Sequence, residues 1–249
     1  MNIFSVQLGF LAFMDYQDQL LEKEDGRYYA IDKFGTGLAS IATSEKLKRN
    51  VVSFGLPSGP ALFLHLAHRA YFKVKDIDPL SLFDRHDQGI WPDDQSQLFN
   101  FLEDSISHAV FAFTALEAFA NESIPNDFKY TFKAEKTGEE RVYIKNEIER
   151  KVNLDEKLHI ILPNIYNLPS PKGKKVWGHY KEIKKVRDRI IHLKSVDRKA
   201  SGPEDETIWG MMLRMHDKPL CDFAHEIIGY FEPAISNRRW YNKYPYEEA

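Results

Sequence analysis

Arg187 precedes His192 by five positions in the stretch Val186-Arg187-Asp188-Arg189-Ile190-Ile191-His192-Leu193-Lys194. A guanidinium is a permanent cation that meets phosphate oxygens through a planar fork of N–H groups, and an imidazole exchanges protons near neutral pH. Side by side, the two suit chemistry on a phosphate. At about 3.6 residues per turn, Asp188 and His192 are i, i+4 neighbours, so the spacing predicts that the carboxylate orients the ring and favours its protonated form. The same wheel places Ile183, Val186, Ile190 and Leu193 on one arc, which is the core-facing side. Arg187 falls at the margin of that arc and His192 almost opposite it, so His192 is expected outside the core.

The elements that must position these groups follow from periodicity and punctuation. Pro163 to Gly178 holds Pro169, Pro171, Gly173 and Gly178 and reads as a loop delivering the chain to the Arg187–His192 helix, which is expected to run to about Ser195. Upstream, Gln97 to Asn121 predicts a long helix with Leu98, Phe101, Leu102, Ile106, Ala109, Phe113, Leu116 and Ala120 apolar, and a second stripe of Asp104, Ser107, Thr114, Glu117 and Asn121. Lys129–Lys133 and Arg141–Lys145 alternate on either side of Thr137-Gly138-Glu139, the pattern of a small inserted β-hairpin. Helices from about Lys145 to Val152 and from Leu154 to Leu162 should follow, the second capped by Asn153. Asp197 to Glu206 reads as a loop, and a last helix is expected from Pro219 to Ile235. Beyond it, Arg238, Arg239, Trp240, Tyr241, Lys243, Tyr244 and Tyr246 form either a base-stacking tail or a packed terminal arm.

The arrangement Arg187-x4-His192, with a polar residue directly after the arginine, resembles the R-x4-6-H signature of the HEPN superfamily. The helix Phe111–Glu122 and the segments Ile148–Leu158 and Ile161–Pro163 are similar to the first helices of bacterial HEPN proteins. The resemblance covers roughly the C-terminal three-fifths of the chain. It implies a mainly α chain: a HEPN-like helical bundle over residues 96–249 with a small inserted β-hairpin, after an N-terminal α+β region, residues 1–95, of unknown role. It also implies a metal-independent endoribonuclease that cleaves RNA through attack of the 2′-OH, without a cofactor, and that works as a toxin or antiviral defence effector. A homodimer sharing one active-site groove, with an inhibitor or antitoxin as a further partner, is the expected assembly. In such a site His192 would be the general acid or base, Arg187 would stabilise the phosphate, Asp188 would orient the histidine, and Glu117 would position that network. Lys184, Lys185, Arg189, Lys194 and Asn121 would contact RNA. The alternative on the same resemblance is a non-catalytic domain that binds a nucleotide, RNA or protein.

Composition agrees with a globular chain of one large domain or two small ones. The 249 residues are 43% hydrophobic and 29% charged with a formal charge of −3, so the molecule as a whole is not built to bind polyanions. Charge is unevenly spread, however. Lys172 to Lys199 carries eleven lysines and arginines against Glu182, Asp188 and Asp197, which suits either a phosphate-binding face or a solvated helix flank. One cysteine, Cys221, excludes an intrachain disulfide and four-cysteine zinc sites, and points to a reducing, cytoplasmic setting. The apolar start, Met1 to Met14, lacks the basic residues of a signal peptide, and the run from Ala109 to Ala120 is too short to span a bilayer. His65 and His68 have a spacing that can serve a metal but lack a nearby third ligand, and surface or packing roles are the expectation. Gly35-Thr36-Gly37 reads as a turn, without the Gly-Lys-Ser/Thr of a phosphate loop.

Overall fold

The computed structural model describes residues 25–28, 30–32, 38–87, 89–133, 138, 140–200, 202–231 and 238–246. The Gly35-Thr36-Gly37 turn read from the sequence lies outside them. The described chain is mainly helical, with small two-stranded antiparallel sheets. In order come β1 (Ala30–Asp32) paired with β2 (Leu38–Ser40), β3 (Ala42–Leu47) paired with β4 (Asn50–Gly55), and α1 (Gly59–Val74). β5 (Asp84–His86) and β6 (Gly89–Trp91) pair before α2 (Gln95–Glu122), and β7 (Lys129–Lys133) pairs with β8 (Glu140–Ile144) after it. Next are α3 (Lys145–Lys151), then α4 (Leu154–Glu156), which runs through a π-helical turn (Lys157–Ile161) into α5 (Leu162–Tyr166). α6 (Lys175–Ile191), α7 (Ile208–Met215), α8 (Leu220–Gly229) and α9 (Arg239–Asn242) complete the order. No described helix is long and apolar enough to cross a membrane.

α2 is the central element, in contact with α1, α6, α7 and α8. Asp94 starts it by accepting the Ser96 N–H at 2.8 Å, and its buried face alternates small and large residues: Ala109, Ala112, Phe113, Ala115, Leu116, Phe119 and Ala120. The alanines let neighbouring backbones approach while the phenylalanines fill the space between helices. α1 begins at Ser58, whose hydroxyl accepts the Ala61 N–H, and sends Ala61, Leu64 and Ala67 into the same cluster that holds Tyr180, Ile183 and Val186 of α6 and Ile227 and Ile228 of α8. One core therefore runs across the division drawn at residue 95.

The hairpin between α2 and α3 stands in the expected place, in the register Lys129↔Ile144 to Lys133↔Glu140. β3–β4 and β5–β6 were not expected. Both strands of β3–β4 are largely exposed and so carry no alternation of apolar and polar residues, and its turn uses Lys48 at φ 56 rather than a glycine. α7, between the expected loop and the last helix, was not expected. It is eight residues long with Gly210 inside, and only Ile208 and Met212 are buried. The terminal aromatics form a packed arm: Trp240 is fully buried, the Tyr246 hydroxyl donates to Trp240 O at 2.8 Å, and the Arg239 guanidinium donates to Asp25 O at 2.8 Å while lying over Tyr28. That arm is part of the core rather than a surface for bases. His65 is likewise a packing residue, its ring edge-on to Tyr246.

His108, on the buried face of α2, does two things at once. Its Nε2 accepts the Cys221 N–H at 3.1 Å, which satisfies one of the free N–H groups at the start of α8, and its ring lies against Tyr71. Burial, helped by the charge of His68, pushes its pKa down to about 3. An unfolded histidine titrates near 6.5, so between these values the unfolded chain binds a proton that the folded chain refuses. Stability from this group is complete above about pH 6.5 and is lost as pH falls towards 3. Urea unfolding should show a loss of about 2–3 kcal/mol between pH 7.5 and pH 4.5 from this group. His108→Gln, which keeps an acceptor without a titrating ring, should flatten that limb; an unchanged limb would remove His108 as its source.

Candidate functional site

α6 presents the Arg187–His192 pair. Ile183 and Val186 are buried, as the wheel predicts, Tyr180 is buried beside them, and Ile190 is half-buried. The helix starts inside the expected loop, at Lys175, runs through Gly178, and ends at Ile191 instead of Ser195. Leu193 is thus 43% exposed and outside the helical repeat.

What ends α6 is Asp197. Its carboxylate receives both Nη1 and Nη2 of Arg189, the second at 2.6 Å, and also the Lys194 N–H at 2.7 Å and the Ile208 N–H at 2.8 Å, while its carbonyl accepts from Trp209 Nε1 at 3.0 Å. The Asp197 side chain is fully enclosed. Its carboxyl is held well below the ordinary carboxylate range, first by the Arg189 hydrogen bonds, against the cost of burial, and then by the two N–H donors. This cluster draws residues 194–197 back across the helix end and ties them to the start of α7. Arg189, expected to contact RNA, is consumed by it.

His192 caps α6 with φ −111 and ψ 70, its own N–H still donating to Asp188 O at 3.0 Å. The residue is exposed, as expected, and its ring has no partner among the described residues. Asp188 does not orient it. No side-chain hydrogen bond or ion pair joins the two among the described residues, and Asp188 Oδ1 instead accepts from Arg187 Nη1 at 3.0 Å. The Arg187 guanidinium also lies 4.5 Å above the Phe113 ring of α2. Asp188 therefore positions the arginine, and the histidine stands alone beyond it.

Glu117 sits one turn along α2 from Phe113, half-buried, where its charge acts on Lys157 and Tyr180. Lys157 is the residue that sequence reasoning missed. Only 1% exposed, it donates from the π-helical turn to Asn121 Oδ1 at 2.8 Å and to Glu149 O at 3.0 Å. Burial lowers its pKa, and Glu117 and Glu149 oppose that shift. Asn121, expected on the RNA, is thus an interior acceptor. The available signal was a lysine between the apolar positions Leu154, Leu158, Ile161 and Leu162 of a helical pattern. π-helical turns of this kind interrupt α-helices frequently at functional sites.

A second carboxylate organises the outer side of α6. Asp155 receives the Tyr180 hydroxyl, Lys184 Nζ at 2.6 Å and Lys181 Nζ at 3.2 Å. Burial raises its pKa, but the hydrogen bonds from Lys184, Tyr180 and Lys181 outweigh that and the net shift is downward. Of the expected RNA contacts, Lys185 and Lys194 are exposed and Lys184 is half-exposed and paired with Asp155. The arrangement thus brings together Arg187, Asp188 and the Phe113 face, places Glu117 one turn away, and leaves His192 open to solvent at the helix end. Compared with known proteins, the chain matches no family model, no curated protein and no solved structure.

Proposed function

We propose that the chain is a metal-independent endoribonuclease of HEPN type, acting as a toxin or antiviral defence effector in the cytoplasm. The observation that carries this reading is His192: an exposed imidazole without a competing partner, at the end of a lysine-rich helix and five residues beyond a guanidinium held by Asp188. Chemistry on RNA at such a site needs no cofactor. A base takes the proton of a ribose 2′-OH, the oxygen attacks the adjacent phosphorus, the P–O5′ bond breaks, and an acid returns a proton to O5′. Products then end in a 2′,3′-cyclic phosphate and a 5′-hydroxyl. In a homodimer with two α6 ends facing one groove, the two copies of His192 supply base and acid, and Arg187 stabilises the charge on the pentacoordinate phosphate. Glu117 acts at a distance, through the Lys157 network beneath that groove. An inhibitor or antitoxin would act by covering the α6 ends.

One observation favours a second reading, an RNA-binding module that does not cleave: Arg187 is already engaged by Asp188 and Phe113. The test is incubation of the purified protein with mixed cellular RNA in EDTA, followed by mapping of the ends. Cuts with cyclic phosphate termini are the expected result. RNA binding without any cuts would establish the module instead.

A further inference from the structure

The outward face of α6 carries more than the catalytic pair. Trp177, Lys181, Lys184 and Asp188 recur at spacings of four, three and four residues, so they form one stripe along the helix, with His192 just beyond its end. Lysines are ordinary on such a face; a tryptophan is not. Trp177 is only half-buried, unlike the fully enclosed Trp240. It is braced rather than submerged, with the Tyr180 ring centroid at 4.9 Å and the His159 ring at 5.5 Å, both tilted. Two ammonium groups flank its indole, Lys181 at 5.9 Å and Lys172 at 6.0 Å from the ring centroid. His159 is itself fixed by Asp155, whose carbonyl contacts Nδ1, and Lys181 is held by the carboxylate of the same residue. The indole therefore sits on a support of two rings with two ammonium groups over it, which an incoming base would displace towards its own phosphates.

We propose that this stripe is a binding track for single-stranded RNA, with Trp177 as a base-stacking platform and Lys172 and Lys181 as contacts for the flanking phosphates. The proposal rests on the ribonuclease reading for the direction of the track, which leads from Trp177 to His192, about 22 Å along the helix. A planar indole with cations beside it matches an unpaired base and its phosphates, since stacking needs an exposed base face that a duplex does not offer. Local charge agrees: the track lies within the segment of eleven basic and three acidic residues, in a chain whose net charge is −3. Lys185, exposed one position beyond Lys184, adds a further phosphate contact midway.

The test is equilibrium binding of a fluorescent twelve-nucleotide oligouridylate to the full chain, made in a His192→Ala background so that no cleavage intervenes. Trp177→Ala should weaken binding by about tenfold, and Trp177→Phe should retain most of it, because stacking on an aromatic ring is sequence-tolerant and worth a substantial factor per base. The Lys172→Ala/Lys181→Ala pair should flatten the dependence of affinity on salt by about one to two counterions. Unchanged affinity in Trp177→Ala, equal binding of a blunt RNA duplex, or equal competition by polyglutamate would each overturn the track. Its failure is separable from that of the nuclease. Binding that depends on Trp177, in a protein that never cuts RNA, keeps the track and removes the catalysis. Cleavage by the wild type with binding indifferent to Trp177 and to the lysines does the reverse.

Discussion

His192→Ala is expected to lower metal-independent RNA cleavage by roughly 10²–10⁴-fold, the contribution of a positioned acid or base, with the melting temperature almost unmoved. Both halves of this expectation come from the same geometry. The imidazole lies outside the core and holds no described partner, so its truncation leaves no cavity and orphans no donor. Its backbone N–H, which donates to Asp188 O, is kept in the variant. Any loss of activity is then chemical rather than structural. The measurement is single-turnover cleavage of a defined RNA in EDTA, alongside thermal unfolding of both proteins. Equal cleavage by wild type and variant would remove His192 from the reaction. A fall in melting temperature matching the fall in rate would make it a structural residue.

Asp197→Ala should be the most damaging single change near the site, lowering the melting temperature by on the order of 10 °C. Three groups lose an acceptor together: the Lys194 N–H, the Ile208 N–H and the Arg189 guanidinium, which keeps only the Glu206 carbonyl at 3.2 Å. Removing one member of an enclosed ion pair leaves the other charge desolvated and uncompensated, which costs more than the pair itself contributes. Asp197→Asn, which keeps the shape and one acceptor oxygen, should fall between the two proteins. Because the folded carboxyl is shifted downward from its ordinary 3.8, its contribution is present above that value and is lost only as pH drops further. Acid unfolding thus separates this group from His108, whose limb begins near pH 6.5. Amide exchange should also quicken from residue 192 to the start of α7 in the alanine variant, with cleavage declining because the support of His192 is gone. Retention of the wild-type melting temperature would show that Arg189 and the two amides find other partners.

Long periodic segments were legible in the sequence, because a helix of many turns repeats its core face often enough to be read. α2 and the core side of α6 are of this kind, and the β7–β8 hairpin was legible from alternation about a glycine. The end of α6 was not. Ile190 and Leu193 continue the apolar spacing, while the group that stops the helix is Asp197, which binds back to the Lys194 amide and to Arg189. The exposure of His192 was readable from the wheel; its separation from Asp188 was not, since Asp188 bonds to Arg187 instead. Arg189 and Asn121 looked like free surface donors because their partners, Asp197 and Lys157, are fixed by tertiary closure. Lys157 itself was hidden within a helical run whose π-helical turn has no marker in residue type.

Lys157 also bears on the order in which the chain closes. Its ammonium ends enclosed between an amide side chain of α2 and a carbonyl of α3. Withdrawing a charge from water before such acceptors are present is costly, so an intermediate with the π-helical turn docked on α2 alone is disfavoured. The corner formed by α2, α3 and that turn is therefore expected to close cooperatively.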